Sequence, residues 1–151
     1  MDYWKEAEKI YTDLERKGYH IDFESGSGDG YGYSSIRFRE KGTEYGKYLC
    51  DISFGFQIED LFEDLFSFKL QGWELEDNFM YPQILVYDRM GSEPLIDFLI
   101  DEFGYNVSEI NRRLRRISWN SSKLYYFYVM VAEKHYSSVI SKVKNSIGKE
   151  G

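Results

Sequence analysis

Phe56-Gln57-Ile58-Glu59-Asp60-Leu61-Phe62-Glu63-Asp64-Leu65-Phe66-Ser67-Phe68-Lys69-Leu70-Gln71 carries the sharpest helical pattern in the chain. At about 100° per residue, Ile58, Leu61, Phe62, Leu65, Phe66 and Phe68 gather on one side, and Glu59, Asp60, Glu63 and Asp64 on the other. Gly72 then supplies a stop, because glycine accepts the left-handed conformation that ends a helix. Beyond Trp73 the acids continue with Glu74, Glu76 and Asp77. The stretch reads as a helix that anchors a core with one face and offers a ridge of carboxylates with the other.

Upstream of it, Trp4, Ala7, Ile10, Tyr11 and Leu14 recur at helical spacing over residues 2–17, with Asp2 placed to cap the start and Gly18 to end it. Residues 19–24 alternate apolar and polar, as a half-buried strand requires. The glycine- and serine-rich residues 25–34 read as a loop, because those residues punctuate chains. Residues 35–40 alternate again, and 45–54 form a third strand. Downstream, residues 79–87 have strand composition interrupted by Pro82, which argues for a break or an edge position. Ser92 and Pro94 open a helix that Gly104 closes. Residues 108–117 read as another helix, with Ile110, Leu114 and Ile117 inward and Arg112, Arg113, Arg115 and Arg116 outward. Residues 124–132, apolar on both sides, read as a central strand, and 133–147 as a final helix. The expected fold class is therefore α+β. An α-β-β-β-α N-terminal lobe (1–81) with an antiparallel meander precedes a β-α-α-β-α C-terminal lobe (82–151), the two alternatively forming one continuous domain.

A chain of 151 residues, 42% hydrophobic and 19% aromatic, is long and apolar enough for a folded core. Its single cysteine, Cys50, excludes an internal disulfide and suits a reducing cytosol, so a cytoplasmic protein is expected. No apolar run approaches the roughly 20 residues a membrane span needs, and the charged N-terminal residues do not resemble a signal peptide. The net charge of −7 is unevenly spread. Residues 1–104 hold 23 acids and 10 bases, net −13, whereas residues 105–151 hold 3 acids and 9 bases, net +6. Such segregation speaks to partners rather than to fold. The negative part cannot bind a phosphate backbone, but it can compete for a protein groove that does.

The residues for catalysis are sparse. His20 and His135 stand alone and one cysteine cannot build a thiolate site, so no metal and no cofactor are expected. No nucleophile elbow or triad set is present, and Cys50 reads as a small core residue. The run Gly26-x-Gly28-x-Gly30-x-Gly32 lacks the following helix and Lys-Ser/Thr of a phosphate cradle. It reads either as a hairpin connection or as a recognition loop, in which Asp29, Tyr31 and Tyr33 provide contact groups on an adaptable backbone. The arginine cluster at 112–116 is a secondary basic patch, open to phosphate contact, to internal ion pairing or to protein binding. The acidic ridge (Glu59, Asp60, Glu63, Asp64, Glu74, Glu76, Asp77) is either a solvated face or a set of phosphate substitutes for a basic groove.

Several landmarks of the first half together resemble a small acidic phage anti-CRISPR family. They are Lys17-Gly18-Tyr19 before the first strand, the Gly/Ser/Asp loop around Asp29, Gly42-Thr43-Glu44-Tyr45 in the second hairpin, and Gly72-Trp73 before Glu74, Glu76 and Asp77. Members of that family occupy the DNA-contacting groove of a Cas nuclease. The resemblance implies a non-catalytic inhibitor whose Asp29, Glu74, Glu76 and Asp77 lie where the target expects DNA. This chain departs from the pattern in a shorter acidic run and in a further stretch of opposite charge. The expected partner is a protein effector or nuclease, with no direct nucleic-acid binding and no membrane. The alternatives are an immunity protein that neutralises a nuclease toxin and a small enzyme using carboxylates.

Overall fold

The computed structural model describes residues 2–28, 31–44, 46–55, 83–87, 92–104, 106–109, 114–118 and 122–136. The expected acidic helix at 56–71 and the acids at 74–77 lie outside them, as do residues 137–147 of the expected final helix. The described elements are α1 (Tyr3–Arg16), β1 (Tyr19–Gly28), β2 (Tyr31–Glu40), β3 (Cys50–Phe54), β4 (Gln83–Tyr87), α2 (Glu93–Phe103), β5 (Asn106–Glu109), β6 (Leu114–Ser118) and α3 (Ser122–His135). The protein is an α+β fold. A helix leads into an antiparallel meander, and helices follow. The strands form one antiparallel sheet in the order β1-β2-β3-β4-β6-β5, with β3 paired to β4 across the intervening sequence. No described helix is long and apolar enough to cross a membrane.

α1 begins as its sequence dictates. Asp2 keeps extended backbone angles and its Oδ1 accepts the Lys5 amide at 3.1 Å, satisfying one of the orphan donors of the first turn. Ala7, Ile10 and Leu14 form its buried stripe, and Gly18 turns the chain at φ +95°. In the meander, period-two alternation sends Tyr19, Ile21 and Phe23 of β1, Ile36 and Phe38 of β2, and Cys50, Ile52 and Phe54 of β3 to one buried face.

Two segments differ in kind from their sequence reading. Residues 124–132, expected as a central strand, lie inside α3. The helix is buried nearly all round, which erases the 3.6-residue period that would have betrayed it. Tyr128 meets Phe54 with ring centroids 4.5 Å apart and Phe23 at 5.4 Å; Phe127 meets Phe103 of α2 at 5.3 Å, and Tyr126 stacks on Tyr3 of α1 at 5.2 Å. α3 is thus the hub that sheet and helices share. The expected arginine helix at 108–117 is replaced over its described residues by strands β5 and β6, with Glu109 opposite Arg115 and Ser108 opposite Arg116. Pairing of β6 with both β4 and β5 outweighs the local helix preference of Leu and Arg. Over the described residues the C-terminal part therefore runs β-α-β-β-α instead of β-α-α-β-α.

A smaller correction concerns the glycine-rich stretch. The strands of the first hairpin run on to Gly28 and resume at Tyr31, so only positions 29 and 30 connect them. Strand pairing continues there because Tyr33, opposite Gly26, lies over the bare glycine; a Cβ at Gly26 would meet the Tyr33 hydroxyl at 3.3 Å.

Candidate binding surfaces

The second face of the meander carries a polar array built by the same alternation. β1 contributes His20, Asp22 and Glu24, β2 contributes Tyr33, Arg37 and Arg39, and β3 contributes Asp51 and Ser53. Arg37 donates to Glu24 Oε2 at 2.5 Å, and the Tyr33 hydroxyl donates to Glu24 Oε1 at 2.9 Å. Arg39 reaches Asp22 Oδ2 at 3.4 Å and the Thr43 carbonyl at 3.0 Å, while His20 Nε2 lies 2.7 Å from Asp22 Oδ1. Ser53 donates to Asp51 Oδ1 at 3.1 Å, and the Arg37 guanidinium sits 5.2 Å from the centre of the Tyr48 ring.

Electrostatics shows how committed these groups are. Burial works against the Arg37 charge, but Glu24, Tyr48 and Asp51 outweigh it and hold its pKa above the ordinary arginine value. The hydrogen bond to Glu24 raises the Tyr33 hydroxyl. The carboxylates of Asp22 and Glu24 are thus matched from within by Arg39 and Arg37. Such an array ties β1 to β2 and presents little uncompensated charge to a partner.

Of the residues expected at a binding site, Tyr33 lies in β2, in a stretch expected as a loop, and is bonded to Glu24. Tyr31 is a β2 strand residue opposite Gly28. Asp29, Glu59, Asp60, Glu63, Asp64, Glu74, Glu76, Asp77, Arg112 and Arg113 lie outside the described residues. Arg115 and Arg116 occupy consecutive positions of β6.

A described acidic surface lies on α2. Leu95, Ile96, Leu99 and Phe103 form its buried side, and Glu93, Asp97 and Asp101 are exposed on the opposite one. Recurring every four residues, the three carboxylates stand about 6 Å apart along the axis and drift by only about 40° per step. Glu102, at the edge of the row, is taken up by Lys123 at 3.0 Å. The helix is anchored at both ends. Pro94 fits the first turn and Gly104 closes the last at φ +75°. Ser92 is buried and its side chain makes no capping bond, contrary to the cap its position suggests. The i, i+4, i+8 spacing of Glu93, Asp97 and Asp101 is visible in the sequence, and it was the signal for this row.

No group of three or more histidine, cysteine or carboxylate side chains converges to hold a metal ion among the described residues. Comparison with protein families, with curated proteins and with solved structures finds no match to the chain.

Proposed function

We propose that the protein is a non-catalytic inhibitor that binds a nucleic-acid-processing effector and covers its basic nucleic-acid site with an acidic surface. The resemblance of the first half to anti-CRISPR inhibitors suggests a Cas-type nuclease as the effector. The observation that supports this reading is the exposed row Glu93, Asp97 and Asp101, held on a packed helix in a chain of net charge −7. Carboxylates at a fixed repeat of about 6 Å can replace phosphates beside lysines and arginines. Because α2 is anchored by its buried side, little ordering entropy opposes docking. Attraction of this kind speeds encounter and weakens with salt.

The test is inhibition of a purified nuclease effector by the wild-type protein and by the variant Glu93→Lys/Asp97→Lys/Asp101→Lys. Reversal of three charges in contact with a basic groove is expected to weaken inhibition at least about 10-fold, since each rim charge contributes a few tenths to one kcal/mol. The wild-type association rate should fall with rising salt. Undiminished inhibition by a folded triple variant overturns the assignment of this surface, and measured turnover abolished by one carboxylate change overturns the non-catalytic reading.

A further inference from the structure

A groove of about 580 Å³ runs between α1 and α3. Its α1 wall carries Trp4, Glu8, Tyr11 and Glu15, whose spacing of four, three and four residues keeps them on one side of the helix. The α3 wall adds Glu133 and Lys134. Two aromatic rings and three carboxylates thus surround one cation, for a net charge of −2. Lys134 reveals the chemistry the groove favours, because its Nζ lies 4.5 Å from the centre of the Tyr11 ring. An ammonium over an aromatic face is attracted by the negative charge of the π system. Lys17, at the other end of α1, repeats the arrangement over Phe98 at 4.0 Å.

We propose that the groove between α1 and α3 binds lysine or arginine side chains of a basic peptide segment on a partner protein. The incoming cation lies against the Trp4 and Tyr11 rings, and Glu8, Glu15 and Glu133 neutralise it. The carboxylates are distributed along the groove and do not converge as metal ligands do. A volume of about 580 Å³ lies within the range of sites that enclose whole ligands, more than one ammonium group fills. The negative field of the groove also acts on the Tyr11 hydroxyl, held above its ordinary pKa by burial, then by Glu15 and Asp22. This site is separate from the α2 row, and it stands whether or not that row binds a nuclease.

The experiment titrates the intact protein with an oligo-arginine peptide at low salt, following affinity by calorimetry and the site by amide chemical shifts. Glu8→Gln/Glu15→Gln/Glu133→Gln should weaken binding about 10-fold, in line with three partly exposed charge pairs. Asp13→Asn/Glu40→Gln/Glu44→Gln removes the same formal charge away from both the groove and the α2 row and should change affinity less than about 2-fold. Lys134→Ala removes the resident cation and should tighten binding about 2- to 5-fold, the reverse of a structural defect. Equal weakening by the two triple variants would reduce the effect to net charge and overturn the site. Spermidine binding as tightly as the peptide, with the same shifts, would overturn the peptide assignment in favour of a polyamine site.

Discussion

Replacing Arg37 by methionine keeps the aliphatic stem and removes the guanidinium that joins β2 to β1 and to Tyr48. Two losses follow. One is a charge-assisted hydrogen bond to Glu24 at 2.5 Å, and the other is the placement over the Tyr48 ring at 5.2 Å. A hydrogen bond to a charged group contributes about 1.5–3 kcal/mol when shielded. Here the side chains are 25% and 40% exposed, so solvent screening reduces it to about 1 kcal/mol. The ring contact adds about 0.5–1 kcal/mol. The expected destabilisation is therefore about 1.5–2 kcal/mol, which in a chain of this size lowers Tm by roughly 3–8 °C. Urea unfolding should show a lower midpoint with an unchanged slope. A double-mutant cycle with Glu24→Gln should give a coupling of about 0.5–1 kcal/mol that shrinks in about 1 M salt, where screening acts within about 3 Å. A coupling below about 0.2 kcal/mol would show that the pair is screened and that the array does not hold the strands. On the proposed inhibitory function, the folded Arg37→Met protein should inhibit as the wild type does, because the array is internally matched; a specific loss would instead make this sheet face part of the proposed binding surface.

Cys50 is fully buried in β3 and its thiol is raised well above the ordinary value, by burial first and then by Asp51. It should resist alkylation at mildly alkaline pH until urea unfolds the protein; modification of the native protein within minutes would contradict its placement. Phe54→Ala should cost about 3–5 kcal/mol, since its ring fills the junction of β3 and α3 against Tyr128; a change in midpoint worth under about 1 kcal/mol would refute that packing. His135 stacks on Phe23 at 5.9 Å and burial lowers its pKa, against the opposing pull of Asp22. Its protonated form is thus disfavoured by folding, so this contribution to stability is intact above about pH 6.5 and is lost as pH falls toward the lower folded value. His135→Gln should flatten the fall in Tm between neutral and acidic pH, and an identical pH profile would exclude the residue as its source.

Legibility in the sequence followed from which physical constraint dominates each segment. In α1, Asp2, the stripe Ala7, Ile10 and Leu14, and Gly18 all act locally, so the helix and its ends could be read directly. In β1 to β3 one face is apolar and the other charged, and alternation displays that contrast. α3 offers no such contrast. Over residues 124–132 the helix, packed between sheet and helices, has almost no wet side, and its Tyr, Phe and Val content matches strand composition as well as helix burial. β6 fails for the opposite reason. Leu114 and Ile117 are three residues apart, as on a helix, but the decisive contacts come from β4 and β5, distant in sequence and invisible to any local pattern.

The same distinction governs the candidate binding surfaces. The acid row of α2 is a local property and needs only the spacing of Glu93, Asp97 and Asp101. The matching of Asp22 and Glu24 by Arg39 and Arg37 is a cross-strand property that arises only once the register is set. Counting acids therefore overstates the charge a partner meets, because a folded sheet consumes part of it internally. The groove between α1 and α3 goes one step further. Trp4, Tyr11 and the three glutamates become one site only because the misread α3 is a helix lying along α1; as a strand, residues 124–132 would have carried Glu133 and Lys134 elsewhere. Measuring whether Lys134→Ala tightens cation binding thus examines the helix assignment and the recognition chemistry together, since neither alone places an ammonium over Tyr11.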